Sequence, residues 1–275
     1  MKVAVIVRSR NDIAFTKQTL DALLAQSFTD FKIIAFDNSS TDGTRQIYDE
    51  YKNIEVVDIP EGAYIPGKIL NLAVALVKAD IYVFNNLDAI PQNEHWLETL
   101  ISPILSGRAD VCYARQIARK DAKLWVKSDY LHAFPKEDKC SSNNFFSMAS
   151  SAVSAEVFES INFDDSLNFS EDIMFAKTAR ENNFKVIYVP EAEVEHSHNY
   201  NIESLIRRFK GEGKADRKIL GNGFSYIDML RRTMVDFIRD VKFAFKTGRI
   251  FEIPSCLYVR YLQKRSYYLG RKGVK

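Results

Sequence analysis

At 275 residues the chain suits one large domain with an extension, or two small ones, and 46% hydrophobic with 27% charged residues excludes a disordered polymer. The formal net charge of +2 hides a split: residues 201–275 carry 18 Lys+Arg against 7 Asp+Glu, whereas residues 1–200 carry 20 against 29. A tail that basic either meets an anionic surface, membrane or nucleic acid, or is a solvated helical face.

In chain order, VAVIV (3–7) is the continuous apolar run of a strand buried on both faces. It is too short for a signal peptide, Arg8 ends it, and no stretch reaches the roughly 18 apolar residues that span a bilayer, so the expected location is cytoplasmic. Phe15, Leu20, Leu23 and Leu24 share one side of a helix. The strand FKIIAF runs out at Asp37, and DNSSTDGT opens a helix at about Thr44. A strand near IEVVDI, a helix over about 67–78 and the strand IYVFNN follow, then a helix over 93–106 and the strand VCYARQ. Residues 117–144 are polar, aromatic and poorly periodic, which predicts a long functional loop. SMASSAVSAEVF, a helix from Glu171 and the strand FKVIYVP complete the alternation. Strands alternating with helices mean βαβ units and a mostly parallel, twisted α/β sheet. Ligands of such sheets sit at the carboxyl ends of strands, where Arg8, Asp37 and Asp88 all fall. Cys112, Cys140 and Cys256 are too scattered for a disulfide framework or a thiolate metal site.

From about Asn201 the pattern turns helical and basic. Ile227, Leu230, Met234, Phe237, Val241 and Phe245 recur at three- and four-residue steps, with Arg231, Arg232, Arg239 and Lys242 elsewhere on the wheel. Beyond Pro254, apolar residues such as Leu257, Tyr258 and Tyr261 mix with Arg260, Lys264 and Arg265. This is the composition of an interfacial anchor, and equally of helices packed on a core.

Four segments carry chemistry. DNSSTDGT is rich in turn formers, and Asp37 at its head can accept the imide N–H of a uracil or thymine ring. In NNLDA, Asp88 can serve as a carboxylate ligand of Mg²⁺ or Mn²⁺ on a diphosphate, with Asn86 a weaker neutral donor. Glu171-Asp172 opens a helix, where acids offset the dipole, but a carboxylate there can also deprotonate a hydroxyl. In HSHNY, His196 and His198 lie two apart after a strand and can face one site.

Taken together, over residues 1 to about 215, these segments resemble the family 2 glycosyltransferases, with the GT-A fold. The likeness is to the bacterial rhamnosyltransferase-like branch, through LDAIPQNEHWL (87–97), YARQIARKDA (113–122), FSEDIMFAK (169–177) and VEHSHNYNIESLIRRFKGEG (194–213). The resemblance implies a catalytic domain over 1–205 and a basic helical extension over 206–275. It implies that Asp37 reads the pyrimidine, with Arg8 and Ser9 along the nucleotide and Lys68, Asn71 and Asn86 about the donor. Asp88 stands last in the family's Asp-x-Asp motif as metal ligand. His196 is the histidine ligand with His198 as the alternative, and Asp172 is the general base. Asn86 departs from the motif's first acid, as it often does in this branch. The reaction so implied is inverting transfer of a hexose, best matched by rhamnose from dTDP-rhamnose, to a glycan or lipid-linked saccharide in bacterial surface polysaccharide synthesis. Mg²⁺ or Mn²⁺ is the cofactor, a peripheral site on the inner membrane face is consistent with the basic tail, and no nucleic acid is a partner. The alternatives are a UDP-hexose donor, a non-catalytic sugar-nucleotide scaffold, and a sugar nucleotidyltransferase. The last would carry a Gly-rich basic loop after the first strand, where VRSRNDIAF has no glycine.

Overall fold

The computed structural model describes residues 1–62, 65–137, 145–221 and 223–274. The chain forms two compact units, one of Met1–Ile117, Ala133–Ser166 and Glu171–His196, the other of Ala118–His132, Leu167–Ser170 and Ser197–Lys275.

The first unit is built on a sheet. Apolar β1 (Val3–Ser9), β2 (Phe31–Asp37) and β4 (Ile81–Asn86) are buried along most of their length, while β3 (Ile54–Asp58) is half-buried at the edge. Between them run α1 (Ile13–Leu24), α2 (Thr44–Tyr48) and α3 (Pro66–Leu76). With β5 (Ile90–Pro91), β6 (Val111–Ile117), β7 (Ser150–Ser154) and β8 (Val186–Glu195), the described residues form an eight-stranded sheet of order β3-β2-β1-β4-β7-β6-β8-β5. The first four strands pair in parallel. β7 enters antiparallel between β4 and β6, and β5 lies antiparallel to the end of β8, so the sheet is mixed. Alternation of strands and helices reveals burial but not direction, which is why β7 does not announce itself in sequence.

Leu20 and Leu23 of α1 and Trp96, Leu97, Leu100 and Ile101 of α4 (Trp96–Leu105) pack into the main core with the inward side chains of the sheet. Burial of each such side chain stabilises by about 1.5–3 kcal/mol. A second, aromatic cluster joins β4 to α6 (Ala155–Ser160) and α7 (Glu171–Glu181). Phe163 stacks on Phe175 with centroids 4.3 Å apart, and Phe158 and Phe163 meet Phe84 edge-on. Phe175 lies three residues beyond Asp172, so the cluster that seats α7 also sets where Asp172 stands.

The second unit is helical: α8 (Ile202–Leu220), α9 (Tyr226–Thr247), a short 3₁₀ turn (Ile250–Glu252) and α10 (Ile253–Lys272), joined by α5 (Leu124–Ala133) up to His132. α5 corrects the expectation of one loop over 117–144, of which 138–144 lie outside the described residues. Its buried Leu124, Trp125 and Ser128 form no apolar stripe, so periodicity could not show it. α9 starts on a reciprocal capping box between Ser225 and Asp228. α8 and α10 cross backbone to backbone: a Cβ on Gly213 would lie 2.2 Å from Tyr267 O, and one on Gly270 2.2 Å from Lys210 O.

Two basic residues of the tail belong to buried or half-buried ion pairs. Arg260 is 1% exposed; its Nε and Nη2 donate to Asp240 at 2.7 and 2.8 Å, and Nη1 donates to Asp129 at 2.7 Å. Arg239 pairs with Asp129 and Asp236. Among the described residues no helix is long and apolar enough to cross a membrane.

Candidate active site

Register builds the site. β1 pairs Ser9 with Asp37 on one side and Arg8 with Asn86 on the other, so the carboxyl ends of β2, β1 and β4 line up. Arg8 Nη2 donates to Asn86 Oδ1 at 2.8 Å, and Ser9 Oγ donates to Asp37 Oδ1 at 2.9 Å. Asp37, 1% exposed, also accepts from Ser40 Oγ at 2.7 Å and Ser40 N–H at 2.9 Å. The buried amide nitrogen of the next residue, Asn38, has no hydrogen-bond partner among the described residues.

The DNSSTDGT segment is more than a turn, because it is clamped to the loop after β1. Asn11, at a left-handed φ of 57°, accepts from Thr41 N–H at 2.8 Å and donates its own N–H to Ser40 Oγ at 2.9 Å. Asp12 N–H donates to Thr44 Oγ1 at 2.8 Å, and Ile13 N–H to Asp42 at 3.0 Å. Burial works against the Asp42 carboxylate, yet hydrogen bonds from Thr44 and Ile13 hold its pKa below the ordinary value. Asp12 goes the other way. Burial above all pushes it up to about 6, against the Arg10 N–H, and the negative charges of Asp88, Asp42 and Asp37 add to the rise. Sequence reading missed Asp12, since an acid before a helix is unremarkable.

Asp88 sits in a turn stitched by Ala89 N–H to Asn86 O at 2.9 Å, Asn85 Nδ2 to Ala89 O at 2.8 Å and Thr19 Oγ1 to Leu87 O at 2.6 Å. β5 leaves this turn and pairs Ile90 with Glu195 at the end of β8, which brings Asp88 to His196. Their Oδ2 and Nε2 atoms are 3.4 Å apart, and both side chains are buried. The other ring nitrogen, Nδ1, lies 2.8 Å from Gln116 Oε1, and Gln116 Nε2 donates to Ser147 Oγ at 2.8 Å. An amide oxygen only accepts, so Nδ1 carries a hydrogen and Nε2 is the ring nitrogen turned toward the carboxylate. A carboxylate oxygen and an imidazole nitrogen so placed are a donor pair that a divalent cation can use. Gln116 was not singled out from sequence; a polar residue at the end of the otherwise buried VCYARQI was its one signal.

Asp172 stands in the first turn of α7, accepting from Met148 N–H at 3.3 Å. The next residue, Ala149, accepts from Asn86 N–H at 2.8 Å, so Asp172 joins the end of β4 through one short segment. Lys68 is exposed in the first turn of α3. Asn71 exchanges two hydrogen bonds of 3.0 Å with the backbone of Phe163, tying α3 to the chain below it. His198 falls in the second unit, where its ring lies 5.3 Å from that of Tyr200.

The model of glycosyl transferase family 2 matches residues 4–161, more than half of the chain. The chain belongs to this family. Among curated relatives, this family 2 chain is 29% identical over 229 residues to the O-antigen chain rhamnosyltransferase RfbN of Salmonella typhimurium, covering 78% of the chain and 72% of the relative. It is 28% identical over 194 residues to WbaN of Salmonella anatum, again an O-antigen chain rhamnosyltransferase, and that match spans 66% of the chain and 61% of the relative. Among solved structures, mannosyltransferase PcManGT from Pyrobaculum calidifontis, in complex with GDP-Man and Mn²⁺, aligns at TM-score 0.69 and 15% identity over 98% of this chain and 86% of that one. S. aureus TarS with UDP-GlcNAc aligns at TM-score 0.60 and 17% identity, over 99% and 91%. The fold is therefore GT-A, and the protein is a glycosyltransferase of the rhamnosyltransferase-like kind.

Proposed function

We propose that the protein transfers a sugar, rhamnose from dTDP-rhamnose in the first instance, onto a glycan or lipid-linked saccharide with inversion at the anomeric carbon. The observation that carries the reading is the buried Asp88–His196 pair at the strand-end ledge. A carboxylate oxygen with one imidazole nitrogen suits Mn²⁺, and Mg²⁺ next. Asp88 and His196 would hold it, Gln116 keeping the ring turned, and His198, two residues on, is the alternative ligand. When bound, the cation supplies positive charge to the diphosphate leaving group.

The chain's own residues do the rest. Asp37 accepts from the pyrimidine imide, Arg8, Ser9 and Asn86 line the nucleotide, and Lys68 reaches the donor from α3, which Asn71 fixes in place. Asp172 takes the proton of the acceptor hydroxyl as its oxygen bonds to the anomeric carbon and the bond to the diphosphate breaks. A UDP-hexose is the second donor reading. One methyl separates thymine from uracil, worth about 1–3 kcal/mol in an apolar pocket. For a lipid-linked acceptor we propose a cytoplasmic protein resting on an anionic membrane face.

Calorimetry of dTDP-rhamnose with and without Mn²⁺ tests the site. Asp88→Ala should weaken binding markedly with metal and little without it. Equal weakening in both would sink the metal role, and tighter binding of a UDP-hexose would overturn the donor.

A further inference from the structure

The membrane face proposed above leaves open which part of the chain meets it, and α9 answers. Its inward side carries Met229, Thr233, Asp240 and Ala244, all buried. On a helix of 3.6 residues per turn, Ile227, Leu230, Met234, Ile238 and Phe245 fall within a sector of about 80° on the other side. All five are exposed, Ile227 by 75% and Phe245 by 68%. Of the stripe read from sequence, Ile227, Leu230, Met234 and Phe245 are exposed, whereas Val241 is half-buried and Phe237, half-buried, packs on the core of the second unit. Beyond Gly248, Ile250 and Phe251 continue the apolar surface, and Phe251 is 93% exposed.

Charge selects the occupant. Arg231 and Lys242 adjoin the stripe, Arg232 and Lys246 follow on one flank, and all four are exposed. The apolar sector itself holds no carboxylate among the described residues of α9, Asp228 on the basic flank is engaged by Ser225 at the helix start, and α10 contains no Asp or Glu. A second copy of the same face would bring like charges together. An anionic bilayer instead offers phosphate oxygens to the cations and an acyl boundary to the stripe. We infer that α9 lies flat in the headgroup region of an anionic membrane, with Phe251 as a wedge at its end. This rests on the membrane reading given under Proposed function and adds the face that makes contact.

Full-length protein is mixed with phosphatidylcholine vesicles, with and without phosphatidylglycerol, and sedimented at low and high salt. The wild type should bind the anionic vesicles at low salt and lose them at high salt. Ile238→Glu with Phe245→Glu should lower partition by about tenfold or more, and loss of Arg231 or Lys242 by about fivefold each. These positions are exposed, so the melting midpoint should hold. Phe251→Trp should add blue-shifted emission on anionic vesicles above that of the buried Trp96 and Trp125. No binding by the wild type would end the membrane reading itself. Binding that survives the double Glu variant would overturn the α9 inference alone, as would a lipid-free dimer that this variant dissolves.

Discussion

In the second unit, fully buried Asp240 lies in the fork of the Arg260 guanidinium, whereas in the first, equally buried Asp37 rests on the hydroxyls of Ser9 and Ser40 and one backbone N–H. The two arrangements solve one problem at different times. Asp240 is neutralised by its own chain on folding, so nothing further is asked of it. Around Asp37, negative charge accumulates until Asp12 is pushed up to about 6 by burial and by its neighbours Asp88, Asp42 and Asp37. Carboxylates gathered in this way at one strand-end ledge are what the proposed cation and pyrimidine would meet.

Four substitutions probe this contrast, the largest effect first. Asp172→Asn should cut transfer by about a hundred- to ten-thousandfold while donor affinity holds, since a base is lost and no diphosphate contact is touched. A variant keeping over a tenth of wild-type rate would unseat Asp172. Arg260→Met leaves Asp240 buried and uncompensated, and urea denaturation should show a loss of about 3–5 kcal/mol. Adding Asp240→Leu should recover much of it; failure to recover would mean that Arg260 acts through packing rather than charge. Gln116→Ala should weaken Mn²⁺ binding by about 10–100-fold, measured calorimetrically. Gln116→Glu, which keeps an acceptor on Nδ1, should largely restore it.

The smallest effect belongs to Asp12. Its folded pKa of about 6 stands above the ordinary value of 3.8, so between those values the native state holds a proton that the unfolded chain has shed. Stability therefore falls as pH rises between those two values, and the loss is complete above the upper one. Asp12→Asn should flatten that slope and raise stability at neutral pH by about 1–2 kcal/mol, allowing for partial exposure. A pH–melting profile unchanged by the substitution would show that Asp12 is solvated and ordinary.

The strands that carry the site were plain in the sequence because β-branched runs bury on both faces, and the acid-led start of α7 was equally open to view. What stayed hidden depends on partners far along the chain. Asp129 and Arg260 are 131 positions apart, and neither looks different from a solvated charge until they meet. Gln116 and His196 are 80 apart, and β5 is two residues long. Helical spacing likewise marked the stripe on α9 but not its side, since an apolar stripe is written the same way whether it faces core or lipid.

The crossing of Gly213 with Gly270 acts as a vernier for the last helix. Sliding α10 by one turn, about 5.4 Å, would bring Ser266 to the slot where Gly270 now meets the α8 backbone, and its side chain has no room there. The same slide would draw Arg260 away from Asp240 and Asp129. Two features that share no atoms thus admit one common setting: close packing at Gly270 excludes the shifted register, and the Arg260 ion pairs favour the observed one.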